Sequence, residues 1–402
     1  MNGWLTVVGL GEEGLEGLGS EARGLVDEAE LLVGGERHLS KVSEGTAERI
    51  DWRNGFDEAF DAIAKNEGRR VVVLASGDPM HYGVGAQLVR RFGPEAMRVI
   101  PQPSAFSLAA ARLGWPLARV QCLTVHARPL EQVALYLVPG RRLLLLSRDG
   151  ETPDKLAGYL KERGFGPSPM TVLANMGGET ESRLDGTAGN WPHGRASDLN
   201  VIAVECRAAD GARVLSRVPG LPEDAFEHDG VITKREVRSA TLARLMPLPG
   251  QVLWDVGAGT GAVAIEWLRA EPSGTAVAVE RDPARAAVIA RNAANLGVPS
   301  LTIVEGEAPA ALEGIEGTPD AVFIGGGTSR PGLLEACWEA VRSGGRLVAN
   351  AVTIEAQARL FAFRAEHGGD LIRIGVSRVQ PVGQLHGFQQ LMDVTQLALV
   401  RE

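Results

Sequence analysis

Residues 252–268, VLWDVGAGTGAVAIEWL, admit few backbones. An apolar run that reads as a strand ends in glycines at alternate positions, Gly257, Gly259 and Gly261, and an apolar helix-like stretch follows at once. Glycine lets the chain turn sharply and brings its backbone within contact distance of a ligand. The turn is therefore either a ligand loop or, at its plainest, a bare tight turn. Residues 5–19, LTVVGLGEEGLEGLG, repeat the idea in a different form, without the acidic residue that precedes the later turn.

Strands and helices alternate around both loops, which is the pattern of an α/β protein. In the first half, strands are expected over 5–10, 30–34, 71–76, 97–101, 121–126, 142–147, 169–175 and 199–206, with helices such as 83–92, 104–113 and 153–163 between them. Pro116 divides this half into two lobes. Residues 207–222 open a polar stretch containing Pro219 and Pro222, read as a linker between a domain over 1–206 and a second over 223–402. The second alternation runs helix 234–245, strand 251–256, helix 261–270, strand 275–280, helix 284–295, strands 301–304 and 320–324, helix 331–341, strand 346–351 and helix 354–366. Two β-like runs joined by a Gly-rich bend close the chain, and an antiparallel pair at the sheet edge is expected there.

Composition removes several classes of function. The chain has 402 residues and a net charge of −9, which disfavours non-specific binding to nucleic acid. No apolar run reaches the roughly 18 residues of a membrane span, and the first residues do not read as a signal peptide, so a cytoplasmic location is expected. Cys122, Cys206 and Cys337 are far apart, and the seven histidines show no ligand spacing, so no protein-bound metal is expected. Only five of the 41 basic residues are lysine, and arginine forks suit a substrate with several carboxylates; base composition of the genome is the plainer explanation.

Asp255, Gly257, Gly259 and Gly261 form D-x-G-x-G-x-G, whereas the dinucleotide fingerprint places its third glycine one residue later. The spacing resembles the Rossmann-like methyltransferases that bind S-adenosylmethionine. Glu280 ends the next strand, where a carboxylate can accept both ribose hydroxyls. Asp282 and Pro283 read as the cap and first residue of a helix. VEGEAP at 304–309 falls where an adenine-binding turn is expected, and FIGGGTS at 323–329 leaves room for a bulky acceptor rather than a nucleobase.

In VITKREVRSATLARLM, 231–246, Thr233 and Glu236 suggest a capping box. Lys234 and Arg235 stand in the first turn, where the helix dipole disfavours cations, and Arg238 shares a face with Lys234. This charge reads either as an anion site or as a solvated basic face. Val237, Thr241 and Leu245 are expected to pack inward.

The first half places LASGDPMHYGVG (74–85) and PQPSAFSLAAARLG (101–114) beside the first glycine loop. Three strand-end loops in this order would line one cleft, with Asp78 and Ser104 as its polar groups. The trio resembles the tetrapyrrole methylase family. The second half, through TKREVR, DVGAGTGAVAIE, EGEAP, FIGGG and GGRLVANAV, resembles the decarboxylating methyltransferases of cobalamin synthesis. The resemblance implies a two-lobed tetrapyrrole methylase fold followed by a Rossmann-like methyltransferase fold. It implies methylation of a corrin precursor at bridge carbons 5 and 15 with loss of the ring C acetate as CO2, giving precorrin-8X, and one S-adenosylmethionine site per domain. Cofactor contacts carried over are Thr233, Asp255, Gly257, Ala258, Gly259, Thr260, Gly261, Glu280 and Ala308 in the second domain, and Gly9, Leu10, Gly11, Asp78 and Ser104 in the first. Glu12 and Glu13 depart from the family's G-x-G-P-G. Lys234, Arg235, Arg238 and Arg378 are candidates for the substrate's carboxylates, and His386 either delivers a proton during decarboxylation or is simply a hairpin residue. The family also implies self-association through the second domain. Methylation of RNA or protein, and a non-catalytic tetrapyrrole sensor, are the rival readings; acidity and FIGGG oppose the first, the paired sites the second.

Overall fold

A computed structural model describes residues 3–43 and 45–402. The chain divides into two compact units, one ending its two segments at Arg128 and at Arg213 (resuming at Tyr136), the other comprising Pro129–Leu135 and Val214–Glu402. The first unit holds two five-stranded sheets. One contains β1 (Leu5–Leu10), β2 (Leu31–Gly34), β3 (Glu48–Asp51), β4 (Val71–Ser76) and β5 (Met97–Ile100) in the order β3-β2-β4-β1-β5, all parallel. The other contains β6 (Val120–Thr124), β7 (Arg142–Leu146), β8 (Pro169–Ala174), β9 (Ser182–Thr187) and β10 (Asn200–Glu205) in the order β6-β7-β10-β8-β9; only its β6–β7 pair is parallel. The runs of Val and Leu in β1 and β4 are buried throughout or nearly so, as strands covered on both faces must be. β3 and β9 have no counterpart in the sequence reading. Both are sheet edges with polar, exposed sequences, ERID and SRLDGT, so hydrophobic periodicity gives them no signal.

The second unit is built on β11 (Val252–Val256), β12 (Thr275–Glu280), β13 (Thr302–Glu305), β14 (Ala321–Ile324), β15 (Arg346–Ala351), β16 (Asp370–Ile374) and β19 (Val394–Val400). Their order is β13-β12-β11-β14-β15-β19-β16, parallel through β15, with β19 antiparallel to both its neighbours. From β11 the chain goes first to one side and later returns to the other, so the switch point lies between β11 and β14, beyond whose carboxyl ends such sheets bind ligands. Leu334, Cys337, Leu347, Leu360 and Leu397 pack the core on one face. Separate from this sheet, β17 (Ser377–Val382) and β18 (Leu385–Gln390) form a two-stranded antiparallel hairpin. The chain end thus has four strands in place of the two expected, and the pair that joins the large sheet is β16 with β19.

The stretch 207–222, read as a linker, carries anchors to the second unit. Arg217 donates to the carbonyls of Arg269 (2.8 Å) and Ala270 (2.9 Å), and the N–H groups of Gly220 and Leu221 donate to Glu266 (2.6 and 2.9 Å). Prolines and glycines gave it a linker's composition, but its backbone polar groups are tied down. Among the described residues no helix is long and apolar enough to cross a membrane, and no group of three or more His, Cys, Asp or Glu is placed to hold a metal.

Candidate active site

The turn after β11 is fastened to β12: the N–H groups of Gly257 and Ala258 both donate to the Val279 carbonyl, at 2.9 and 3.1 Å. Gly257 has φ +72°, and a Cβ there would lie 2.8 Å from the Gly326 carbonyl oxygen, so the loop after β14 can close against the turn only while this residue is glycine. Gly259, at φ +60°, turns its N–H toward Glu280 Oε2 at 2.8 Å. Glu280 Oε1 accepts from the Asp282 N–H at 3.1 Å. Asp282 then caps the helix Pro283–Asn295 through the Ala284 N–H (2.9 Å), as its sequence predicts.

These segments surround a cavity of about 410 Å³ at the carboxyl ends of β11–β14. Thr233, Gly257, Ala258, Gly259, Thr260, Glu280 and Ala308 line it, so seven of the nine carried-over residues of this domain meet at one place. Asp255 and Gly261 are not among the lining residues. Gly261 opens the helix Ala262–Ala270 in a left-handed conformation. Asp255 is buried behind the turn, where Oδ2 accepts from the Ala264 N–H at 3.0 Å and Oδ1 has no partner within the protein.

Desolvation pushes the Asp255 carboxyl up to about 7; the negative Glu280 adds to the rise and the Ala264 N–H opposes it. Its folded pKa lies above the unfolded value near ~3.9, so the native state binds the extra proton between these limits. Stability from this group is full below about pH 4 and is lost as pH rises through about 7. Asp255→Asn removes that titration. Urea unfolding of the ligand-free protein is expected to show the variant gaining on the wild type by a few kcal/mol between pH 4 and 8; a difference constant with pH contradicts this.

The helix before β11 spans Arg235–Leu245, with Lys234 at its N-cap and no side-chain cap. The capping box does not form: the helix begins one residue later than the box requires, with Lys234 rather than Thr233 at the N-cap, and the Glu236 carboxylate pairs with Arg378 at 2.8 Å. Val237, Thr241 and Leu245 are buried as expected, but so is Arg238. Its guanidinium is fully enclosed, donating to Glu266 Oε1 (2.7 Å), to the Thr233 carbonyl (2.5 Å) and to the Leu221 carbonyl, and lying over the Phe226 ring. The substrate role expected of Arg238 is therefore corrected: every direction of its fork meets protein. Arg378 is likewise engaged, by Glu223 (2.6 Å) and Glu236. Desolvation pushes the Glu223 carboxyl up, but hydrogen bonds from Arg378 and from backbone N–H groups, that of Arg235 among them, together with the Arg378 charge, outweigh it and hold Glu223 down at about 2. Lys234 is half-buried and Arg235 exposed. The cations that do line the cavity are Arg281, Arg285 and Arg330. Sequence reasoning missed them; Arg281 follows Glu280 directly, and that adjacency was the available signal. Arg330 and Arg281 pair with Glu307, and Arg285 with Asp229.

His386 is exposed, stands opposite Pro381 in the β17–β18 hairpin and is not among the cavity-lining residues. The hairpin reading of this residue is the one the geometry favours, and the proton-delivery reading is dropped.

In the first unit the three expected loops interlock. The Gly77 N–H donates to the Leu10 carbonyl (3.1 Å), and the Gln102 N–H to the Gly77 carbonyl (3.0 Å). A Cβ on Gly9 would fall 1.9 Å from the Gly77 oxygen. Leu10 is buried, and the Gly11 carbonyl accepts from Lys41 at 3.2 Å. Asp78 closes a turn onto the Met80 N–H (2.9 Å), and Ser104 caps the helix Ala105–Leu113 through the Ser107 N–H (3.2 Å). Glu12, in the first glycine loop, is paired with Arg37 and with Lys41, the latter at 2.8 Å.

Comparison with known proteins agrees with both halves. A family model described as tetrapyrrole (corrin/porphyrin) methylases matches residues 5–191, and one described as a precorrin methyltransferase domain matches residues 224–401. A Sinorhizobium protein named precorrin-6Y C(5,15)-methyltransferase [decarboxylating] is 48% identical over 98% of this chain and 95% of its own length. A Mycobacterium tuberculosis protein of the same name is 40% identical over 99% of this chain and 100% of its own. The crystal structure of the C-terminal domain of precorrin-6Y C5,15-methyltransferase from Rhodobacter capsulatus is 42% identical, covering 46% of this chain and all of that one, with a TM-score of 0.44. Matched over nearly its whole length at such identity, the chain belongs to the precorrin-6Y C(5,15)-methyltransferase (decarboxylating) family.

Proposed function

We propose that this enzyme uses S-adenosylmethionine to methylate a corrin precursor at bridge carbons 5 and 15 and releases the ring C acetate as CO2, the precorrin-6B to precorrin-8X conversion of cobalamin biosynthesis. The observation that carries this reading is the convergence of the Gly257–Gly261 turn, Glu280 and Ala308 on one cavity at the switch point of the sheet.

The residues there fit an adenosyl sulfonium cofactor. Each Glu280 oxygen accepts one backbone N–H and retains capacity for a further donor, which suits a ribose diol. Bound there, S-adenosylmethionine supplies a methyl group already activated on sulfur. The chain's own task is then alignment and exclusion of water, for which ~7–11 kcal/mol is available in ideal cases. A reduced macrocycle is enamine-like at its bridge carbons and needs little help from a base. In the decarboxylation the electron pair of the broken C–C bond passes into the ring system, protonated at a bridge, while the protein keeps the acetate poorly solvated.

Each domain holds its own cofactor: the first, around Gly9–Gly11 and Asp78, methylates carbon 5; the second methylates carbon 15 and decarboxylates. Lys234 and Arg235, with Arg281, Arg285 and Arg330 of the cavity wall, meet the substrate's carboxylates. Mass spectrometry tests the whole: full-length protein given precorrin-6B and methyl-labelled S-adenosylmethionine yields a product with two labelled methyl groups and one CO2 fewer. Label entering bulk RNA or protein instead, with precorrin-6B unchanged, contradicts it.

Self-association runs through the second domain. The β17–β18 hairpin and the loop after it expose Val379, Val382, Leu385, Phe388 and Met392, an apolar set that a monomer has little reason to keep in water. Phe388→Glu is expected to shift the protein to a smaller species in analytical ultracentrifugation while leaving its circular dichroism unchanged; an unaltered sedimentation profile contradicts the assignment.

A further inference from the structure

Asn350 has no part in the cofactor site described above, yet the fold goes to some length to fix it. It lies one residue beyond Ala349, the last residue of β15 that pairs with β14, where Ile324 leads into the glycine loop at 325–327. Gly325 lines the cavity, as do Gly327 and Ser329; between these two, the Thr328 hydroxyl donates to the Asn350 carbonyl at 3.1 Å.

The Asn350 side chain faces the helix Arg235–Leu245. Its Nδ2 donates to Thr241 Oγ1 at 3.2 Å. Gln396, its register partner on β19, donates Nε2 to Asn350 Oδ1 at 2.9 Å and to Thr241 Oγ1 at 2.9 Å. The Thr241 hydroxyl donates to the Val237 carbonyl at 2.9 Å. Thr241 and Gln396 are fully buried, whereas Asn350 is half-buried.

A helix–sheet interface needs no polar triad for packing, and this one leaves Gln396 Oε1 buried without a partner, which is unfavourable. Its effect is orientation. With Oδ1 and one N–H of Asn350 engaged, the amide is held against rotation, and its second Nδ2 hydrogen is left for a further acceptor on a residue that is only half-buried. Immediately after it the chain exposes Val352 and Ile354, an apolar surface beside that donor. A flat apolar macrocycle rimmed by carboxylates matches the pair.

We propose that Asn350 is a substrate-contacting residue of the second domain, donating its remaining amide hydrogen to a carboxylate of the tetrapyrrole, with Thr241 and Gln396 as positioning residues that hold the amide. The assignment rests on the function proposed above.

The test uses the full-length protein with precorrin-6B, reading methylation at carbon 15 by mass spectrometry and adenosylhomocysteine affinity by calorimetry. Asn350→Asp, which sets a carboxylate against a carboxylate, is expected to raise KM about ten- to a hundredfold, the size of a hydrogen bond to a charged group. Asn350→Ser, smaller and still polar, and Gln396→Leu, which releases the amide, raise KM in the same direction by smaller factors. Adenosylhomocysteine affinity stays at the wild-type value in all three. An unchanged KM in Asn350→Asp overturns the proposal, as does a parallel loss of cofactor affinity, which marks a merely structural role; if Asn350→Asp does not fold, the KM of Asn350→Ser and Gln396→Leu decides. Wild-type protein that transfers no methyl group to precorrin-6B overturns the functional reading itself, a result distinct from the other two.

Discussion

Arg238→Ala is expected to destabilise the second unit by about 3–5 kcal/mol, the usual result of removing one partner from a buried ion pair. Glu266, itself buried, would lose its guanidinium and keep only the N–H groups of Gly220 and Leu221. The carbonyls of Thr233 and Leu221 would lose their donor, and the Phe226 ring its cation. The damage reaches the cavity, since Thr233 lines it. Arg235→Ala, three residues earlier on the exposed side of the helix, should change stability by less than about 0.5 kcal/mol. The double variant Arg238→Met, Glu266→Leu should recover only the part owed to the uncompensated Glu266 charge, because the N–H groups of Gly220 and Leu221 and the carbonyls of Thr233 and Leu221 still lose their partners. Urea unfolding of the three variants checks the ordering; equal effects of Arg235→Ala and Arg238→Ala would mean that the buried pair is not what fastens residues 217–222 to the domain.

Glu280→Ala should weaken adenosylhomocysteine binding in the second domain by about a hundredfold, or ~3 kcal/mol. Two causes add. The ribose loses its acceptors, and the N–H groups of Gly259 and Asp282 lose the carboxylate that joins the glycine turn to the next helix. Glu280→Gln separates them: an amide oxygen can still accept one of the two N–H bonds, so the turn keeps part of its anchor while the ribose is poorly served. Affinity intermediate between the wild type and Glu280→Ala is expected from calorimetry. Wild-type affinity in Glu280→Ala would move the nucleoside elsewhere.

Much of the second domain is legible in its sequence because its strands are apolar and its turns carry glycine. The strand expected over 275–280 has those bounds, as does 346–351, and the glycine turn, Glu280 and Ala308 come together as spacing and resemblance imply. The helix at 235–245 was legible as a helix but not in its chemistry. Thr233 and Glu236 have the spacing of a capping box, but the helix begins one residue later than the box requires, and Arg378, 142 residues further on, pairs with the glutamate. Arg238 shares a face with Lys234, and a helical wheel cannot say that Glu266 lies behind it. Asn350 was hidden in the same way: GGRLVANAV reads as a strand, and its link to Thr241 and Gln396 exists only once the sheet has formed. Ser104 illustrates a third limit, since a serine before a helix is equally suited to a ligand and to a cap, and here its hydroxyl serves the cap.

Calorimetric titration of the full-length protein with adenosylhomocysteine, beside the same titration of Glu280→Ala and a control with NADH, most directly decides whether the turn after Asp255 cups an adenosyl sulfonium. The wild type should take up two equivalents and the variant one at the same ligand concentrations, with no heat from NADH. NADH bound in place of adenosylhomocysteine, or full stoichiometry retained by Glu280→Ala, would contradict it.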